Sequence, residues 1–144
     1  MRCMGAAGES GGPPTVLIVD DDKDVRDMAR TSLEVDGRFA IIGEGIDGWE
    51  AIRLAADHQP DLVLLDLEMP WLNGAEAVPH IRAAAPSSLI ALWTVAPESH
   101  RATEALALGA SAVLDKSMFS AGSLASRLAQ LLVGADELRR TQSA

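Results

Sequence analysis

Three consecutive aspartates, Asp20 to Asp22, directly follow the apolar run VLIV at residues 16–19. Like charges a few ångströms apart repel by ~1 kcal/mol even in water. Aspartate is favoured at the N-cap and in the first turn of a helix, so a helix start explains part of the run. Neighbouring carboxylates are also ligands for a hard divalent cation of the Mg²⁺ type, which would offset their repulsion.

Three further side chains that could do chemistry stand at the ends of other apolar runs. DLVLLD ends in Asp66, SLIALWT ends in Thr94, and SAVLD is followed by Lys116. A carboxylate held beside a metal and a lysine can attack a phosphoryl group in line and become an aspartyl phosphate. Lysine supplies a compact positive charge for a phosphate oxygen, and the threonine hydroxyl can add a hydrogen bond.

The elements that must position these side chains alternate along the chain. Five apolar runs of strand length occupy residues 15–20, 39–44, 61–66, 88–94 and 111–115. Several are apolar on consecutive residues, which is typical of parallel strands covered on both faces. Segments with helical spacing separate them, so the pattern predicts a (βα)5 doubly wound α/β sandwich. In such sheets ligands bind at the carboxyl ends of the strands.

Some elements are marked by single residues. Pro79 lies inside the helical segment 75–84 and predicts a kink unless it falls in the first turn. Gly109 predicts the end of the helix before it. The second strand ends at Gly43–Gly45 and offers no evident functional side chain.

Composition restricts the functional classes. The chain has 144 residues, 48% of them hydrophobic, and a net charge of −9, which argues against binding to nucleic acid or to a membrane surface. The single cysteine, Cys3, fits a reducing compartment, and no apolar run approaches the ~20 residues of a membrane span. We expect a cytoplasmic protein with a flexible segment at 1–14, one domain at 15–133 and a C-terminal tail at 134–144.

The stretches VLIVDDD, PDLVLLDLEMPWLNG, LIALWTVA and GASAVLDKS together resemble the receiver domain of bacterial two-component response regulators. The resemblance spans residues 15–133. It implies a flavodoxin-like three-layer sandwich with a five-stranded parallel sheet in the order 2-1-3-4-5. It also implies a phosphoacceptor switch rather than a turnover enzyme, one that can dephosphorylate itself.

The resemblance assigns a role to each residue at the strand ends. Asp66 would accept a phosphoryl group from a sensor histidine kinase or a phosphotransfer protein. Mg²⁺ would be bound by Asp20, Asp21, Asp66 and the backbone carbonyl of Glu68. Thr94 matches the switch hydroxyl and Lys116 the lysine that pairs with the phosphoryl group.

Three positions near the expected phosphorylation site depart from the family pattern. Val113 replaces the usual aromatic residue, β-branched Val95 replaces a small residue after the threonine, and Ser117 replaces a proline. We expect a downstream protein partner or a second copy to dock on the face formed by helix 4, strand 5 and helix 5. Trp71, just past the acceptor, is a candidate partner contact, and no tryptophan has a basic neighbour that would suggest a base-binding platform.

Two other functions are compatible with parts of the sequence. The domain could be the receiver part of a longer DNA-binding transcriptional regulator. It could also be a haloacid-dehalogenase-like phosphohydrolase with Asp20 as nucleophile and Asp22 as acid/base, but Asp24 stands where that family has threonine or valine. A calcium loop starting at Asp20 fails, because Val25 occupies its glycine position and Thr31 its twelfth.

Overall fold

A computed structural model describes residues 12–118, 120 and 122–143. Residues 1–11, most of the expected flexible segment, lie outside that range. The strands are β1 Thr15–Val19, β2 Ala40–Gly45, β3 Leu62–Asp66, β4 Leu89–Thr94 and β5 Ala112–Asp115. The helices are α1 Lys23–Asp36, α2 Gly48–His58, α3 Gly74–Ala84, α4 His100–Ala107 and α5 Ser123–Ser143, and a 3₁₀ turn, Lys116–Met118, follows β5.

The five strands form one parallel sheet in the order β2-β1-β3-β4-β5. This confirms the predicted fold class and strand order. Successive strand residues point to opposite faces, and both faces are covered. Leu17 and Val19 pack into the core under α2, α3 and α4, whereas Val16 and Ile18 pack into the core under α1 and α5. Burial on both faces explains why the strands are continuously apolar rather than alternating.

Side-chain caps begin the first four helices. Asp22, Asp47, Asn73 and Ser99 each accept a hydrogen bond from a backbone N–H of the first turn, which satisfies a donor that has no partner within the helix. Asp22 therefore has the capping role that the sequence predicts for it.

Two helices run past residues that the sequence singles out. Helix α3 runs from Gly74 to Ala84 and includes Pro79 beyond its first turn, so the proline does not end the helix, and the predicted kink stays a prediction. Helix α5 reaches Ser143, and residues 134–143 continue this helix instead of forming a separate tail. None of the described helices is long and apolar enough to cross a membrane.

Two glycines fix the loop between β3 and α3, residues 67–73. Gly74 donates its backbone N–H to the Leu67 carbonyl at 3.0 Å, and Gly48 donates to the Leu72 carbonyl at 3.1 Å. A Cβ on Gly74 would lie 2.4 Å from the Asp66 carbonyl oxygen, and one on Gly48 would lie 2.5 Å from the Leu72 carbonyl oxygen. Only glycine allows this close approach, so both residues determine the path of the chain just after Asp66.

We expect Gly74→Ala to lower the free energy of unfolding by about 2 kcal/mol, because the clash is with backbone atoms that cannot move aside. Urea unfolding measures the change. Gly134→Ala is the matched control: its Cβ would meet nothing within 4 Å, and alanine inside a helix should add about 1 kcal/mol of stability. Equal stability of the Gly74 variant and the wild type would show that the loop can shift freely.

Candidate functional site

Two buried carboxylates share one ammonium group at the carboxyl edge of the sheet. Asp20 follows β1 and is 1% exposed, and Asp66 ends β3 and is 5% exposed. The Nζ of Lys116 donates hydrogen bonds to Asp20 Oδ2 at 2.7 Å and to Asp66 Oδ1 at 3.2 Å. Buried charges are stable only when they are paired and hydrogen-bonded, so these three side chains depend on one another.

Hydrogen bonds to β2 and to the following turn hold Asp20 at the end of β1. The Asp20 N–H donates to the Gly45 carbonyl at 3.1 Å, and the Asp22 N–H donates to Asp20 Oδ1 at 2.9 Å. Asp21 is exposed, yet carboxylate oxygens of Asp20, Asp21 and Asp66 all lie within 4.8 Å of one another. This acidic cluster has the oxygen ligands and the spacing that suit a hard divalent cation.

The environment changes the charge state of Asp66. Burial, together with the negative charge of Asp20, raises the pKa of Asp66 to about 7, although Lys116 and the Glu68 N–H act in the opposite direction. Burial alone would lower the pKa of Lys116, but its hydrogen bond to Asp20 and the charges of both carboxylates raise the pKa above its ordinary value. Lys116 is therefore cationic, and a further cation beside Asp66 would favour its carboxylate form.

Thr94 reaches the same edge at the end of β4. Its side chain is 1% exposed, and its hydroxyl oxygen accepts a hydrogen bond from the Ala96 N–H at 3.0 Å. The preceding residue, Trp93, pairs with Asp66 across the β3–β4 ladder. The Nζ of Lys116 lies 5.4 Å from the centroid of the Trp93 ring, close enough for a cation–π interaction. This contact was not predicted from the sequence; because Trp93 is 3% exposed, it does not make the ring a base-binding platform.

Glu68 contacts Asp66 with its backbone and a helix with its side chain. The Glu68 N–H donates to Asp66 Oδ1 at 3.2 Å. Its carboxylate accepts a hydrogen bond from Arg101 Nη1, on α4, at 2.6 Å. Arg101 was not predicted from the sequence, since an exposed arginine on a helix carries no signal of its partner. The ion pair joins the loop after β3 to the helix that follows Thr94.

The remaining candidates lie at the surface or serve the fold. Trp71 is 84% exposed and has a backbone φ of 68°, which is unusual for a bulky residue. Val95 is exposed, whereas Val113 is half-buried and packs against the core. Ser117, in the position of the expected proline, donates its hydroxyl and its N–H to Asp115 Oδ1 at 2.6 and 2.8 Å and so fixes the turn that carries Lys116.

Comparison with known proteins identifies the family. The family model of the response regulator receiver domain matches residues 16–129. The chain belongs to this family. Receiver domains are phosphoacceptors, and the acidic cluster described above is where such domains bind Mg²⁺.

Individual relatives agree with this assignment. YdfI of Bacillus subtilis (strain 168), named a transcriptional regulatory protein, is 40% identical over 101 residues, which cover 70% of this chain and 47% of YdfI. The nitrate/nitrite response regulator protein NarL of Escherichia coli (strain K12) is 33% identical over 106 residues, which cover 74% of this chain and 49% of NarL. The receiver domain thus spans about half the length of these curated relatives.

A solved structure of a LuxR-family two-component response regulator from Aurantimonas sp. SI85-9A1 superposes with a TM-score of 0.78 at 28% identity. The match covers 92% of this chain and 100% of that one.

The raised pKa of Asp66 makes the stability of the metal-free protein depend on pH. Between the ordinary aspartate pKa and about 7, the folded chain binds a proton at Asp66 that the unfolded chain releases. The contribution of Asp66 to the free energy of unfolding therefore falls as pH rises through this window. We expect the stabilisation produced by Asp66→Asn to be about 2 kcal/mol larger at pH 8 than at pH 5.

Urea unfolding in EDTA at the two pH values measures this difference. Asp21→Asn, which removes an exposed carboxylate at the same edge, is the matched control, and a difference of the same size in this variant would show that the effect is not specific to the buried carboxyl. A gain from Asp66→Asn that is the same at both pH values would contradict the burial argument.

Proposed function

We propose that Asp66 accepts a phosphoryl group from a sensor histidine kinase or a phosphotransfer protein, with Mg²⁺ bound by Asp20, Asp21, Asp66 and the Glu68 backbone carbonyl. The observation that carries the proposal is the buried Asp66 carboxylate, which receives the Lys116 ammonium on Oδ1 and lies within 4.8 Å of two further carboxylates. A buried structural aspartate would also need a counter-charge such as Lys116, but two acidic neighbours would only destabilise it, and a bound cation offsets their repulsion.

The phosphoryl transfer requires only one covalent step at Asp66. A carboxylate oxygen of Asp66 forms a bond to phosphorus, and the bond from phosphorus to the donor nitrogen or oxygen breaks, its electron pair leaving with the donor. Positioning and charge neutralisation contribute most of the rate in such reactions. Mg²⁺ supplies part of that neutralisation when bound. Lys116, held between Asp20 and Asp66, supplies a positive charge for an equatorial oxygen of the transferred group.

Phosphorylation would then act as a switch through Thr94. The phosphoryl group adds about −1.5 to −2 charge at Asp66, and it can shift a conformational equilibrium only through contacts that differ between the two states. The Thr94 hydroxyl oxygen accepts a hydrogen bond from the Ala96 N–H in this structure, and its own O–H can donate to a phosphoryl oxygen. The loop after β4 and helix α4 would follow that change, and Val113 fills the place where an aromatic switch would lie.

The face formed by α4, β5 and α5 is the proposed output surface. Leu124 and Leu128 are buried in the core, and Leu131 and Leu132 pack against it, so the apolar stripe of α5 is largely used within the domain. Leu106 and Leu108 remain 45% and 42% exposed. These two leucines favour a protein partner or a second copy on the α4 side of this face. The predicted partner contact of Trp71 and the predicted cytoplasmic location stay predictions.

A second candidate is the receiver part of a longer DNA-binding regulator. YdfI is named a transcriptional regulatory protein, and this chain covers 47% of it. Under this hypothesis the phosphoryl group on Asp66 controls a separate domain, while the chemistry at the receiver is the same. Sequencing the gene and its transcript beyond codon 144 separates the two: an open frame encoding a DNA-binding domain supports the longer regulator.

Incubation with acetyl phosphate and Mg²⁺ tests the phosphoacceptor role. We expect one hydroxylamine-sensitive adduct of ~80 Da by intact-mass spectrometry, since an acyl phosphate on a single carboxylate is the product of the transfer. Asp66→Asn should remove the adduct. Asp57→Asn, which changes an exposed carboxylate on α2, is the matched control and should keep it.

The same assay distinguishes a phosphohydrolase. Turnover of phosphate esters that survives Asp66→Asn but is lost in Asp20→Asn would overturn the receiver chemistry in favour of a nucleophile at Asp20.

Thr94→Ala should separate phosphorylation from the response. We expect the adduct on Asp66 to form at a rate within about tenfold of the wild type, because the hydroxyl is not the nucleophile. The phosphorylation-induced shift of the Trp93 indole N–H signal, measured by NMR, should shrink because Trp93 precedes Thr94 in β4. Thr94→Ser keeps the hydroxyl and should retain the shift. An undiminished shift in Thr94→Ala would exclude Thr94 as the switch residue.

A further inference from the structure

Arg26 of helix α1 contacts the backbone of the residue that begins the acidic cluster. Its Nη1 donates to the main-chain carbonyl of Asp20 at 2.7 Å, and its Nε donates to Glu44 Oε1, on β2, at 3.2 Å. The side chain of Arg26 is 14% exposed and that of Glu44 is 25% exposed. One guanidinium thus connects the end of β1 to the neighbouring edge strand, β2.

The Asp20 carbonyl needs such a partner because of its position. β1 ends at Val19, so this carbonyl lies just past the sheet, and a main-chain oxygen shielded from water requires a donor. The planar guanidinium presents several N–H groups in a fixed fork and can serve the carbonyl and Glu44 at once, which an ammonium does less well. Glu44 also accepts a hydrogen bond from Arg30, one turn further along α1.

We infer that Arg26, anchored by Glu44, is a positioning residue for the cation site: it fixes the Asp20 peptide and thereby the directions of the Asp20 and Asp21 carboxylates. This inference rests on the proposed function, in which these carboxylates bind Mg²⁺. Asp20 is then held at its backbone by Gly45 and Arg26 and at its carboxylate by the Asp22 N–H and Lys116.

The charge of Arg26 and its contact with the Asp20 backbone are expected to have opposite effects on the affinity for Mg²⁺. A guanidinium near a cation site repels the cation, so removing its charge alone would tighten Mg²⁺ binding. Glu44 offsets much of that charge in the structure, since it pairs with both Arg26 and Arg30. If the contact of Arg26 with the Asp20 carbonyl matters more than its charge, removing Arg26 weakens Mg²⁺ binding. If the charge matters more, removing it tightens binding, so the direction of the change distinguishes the two effects.

The experiment compares Arg26→Met with Arg30→Met in the full chain, with Mg²⁺ alone as the ligand, by isothermal titration calorimetry. Both variants remove one guanidinium that pairs with Glu44, but only Arg26 touches Asp20. We expect the Mg²⁺ dissociation constant to rise about tenfold in Arg26→Met, as for other residues that orient metal ligands. In Arg30→Met the dissociation constant should stay within about twofold of the wild-type value, because Arg30 forms only a partly exposed ion pair.

A second measurement uses the metal-free protein. If Arg26 holds the Asp20 peptide, the Asp22 amide, which donates to Asp20 Oδ1, should exchange its hydrogen about fivefold faster in Arg26→Met than in Arg30→Met. Thermal unfolding of both variants shows whether a loss of folding accounts for the difference. Should Arg26→Met fail to fold, Arg26→Lys keeps the positive charge but loses the fork that serves the Asp20 carbonyl and Glu44 together, and it should weaken Mg²⁺ binding in the same direction; unchanged binding would overturn the positioning role.

The outcomes separate this inference from the function on which it rests. Equal dissociation constants for the two methionine variants, or tighter binding by Arg26→Met, would overturn the positioning role. Absence of Mg²⁺ binding by the wild type at millimolar concentration would instead overturn the proposed metal site. Weaker binding by Arg26→Met together with faster exchange of the Asp22 amide supports the inference.

Discussion

The Lys116 ammonium between Asp20 and Asp66 is the contact on which the other features of the domain depend. Each carboxylate is almost completely buried, and an unpaired buried charge would be strongly destabilising. The three residues follow or end β1, β3 and β5, so the contact exists only when these strands lie in the observed order. In the same arrangement one ammonium pairs with two carboxylates, so the negative charge of Asp66 is only partly neutralised. A divalent cation can supply the remaining positive charge.

The fold was predictable because its signal is distributed over many residues. Five apolar runs with helical segments between them determine a parallel sheet, and Val16 to Val19 is apolar throughout because both faces of β1 are covered. The acidic, hydroxyl and lysine residues were also found, because each directly follows or ends a strand. Their joint position at one edge follows from the topology alone.

The supporting contacts were not predictable from the sequence. Arg26 and Glu44 lie on different elements, and the end of the second strand offered no evident functional side chain. Their pairing is visible only when α1 packs against β2. Arg101 and Trp93 were missed for a similar reason, since Glu68 and Lys116 reach them across the sheet edge. The end of α5 was misjudged because a charged, weakly apolar segment can still extend a helix that is already formed.

The Lys116 contacts also couple distant parts of the chain. They join residues separated by 96 and 50 positions in the sequence, so no fragment that lacks β1 or β5 contains the acidic cluster with its counter-charge. Any ligand that binds this cluster therefore binds the folded chain alone and shifts the folding equilibrium by mass action. For the cell this means that the lifetime of the chain against proteolysis would rise with the concentration of that ligand, before any signal is received.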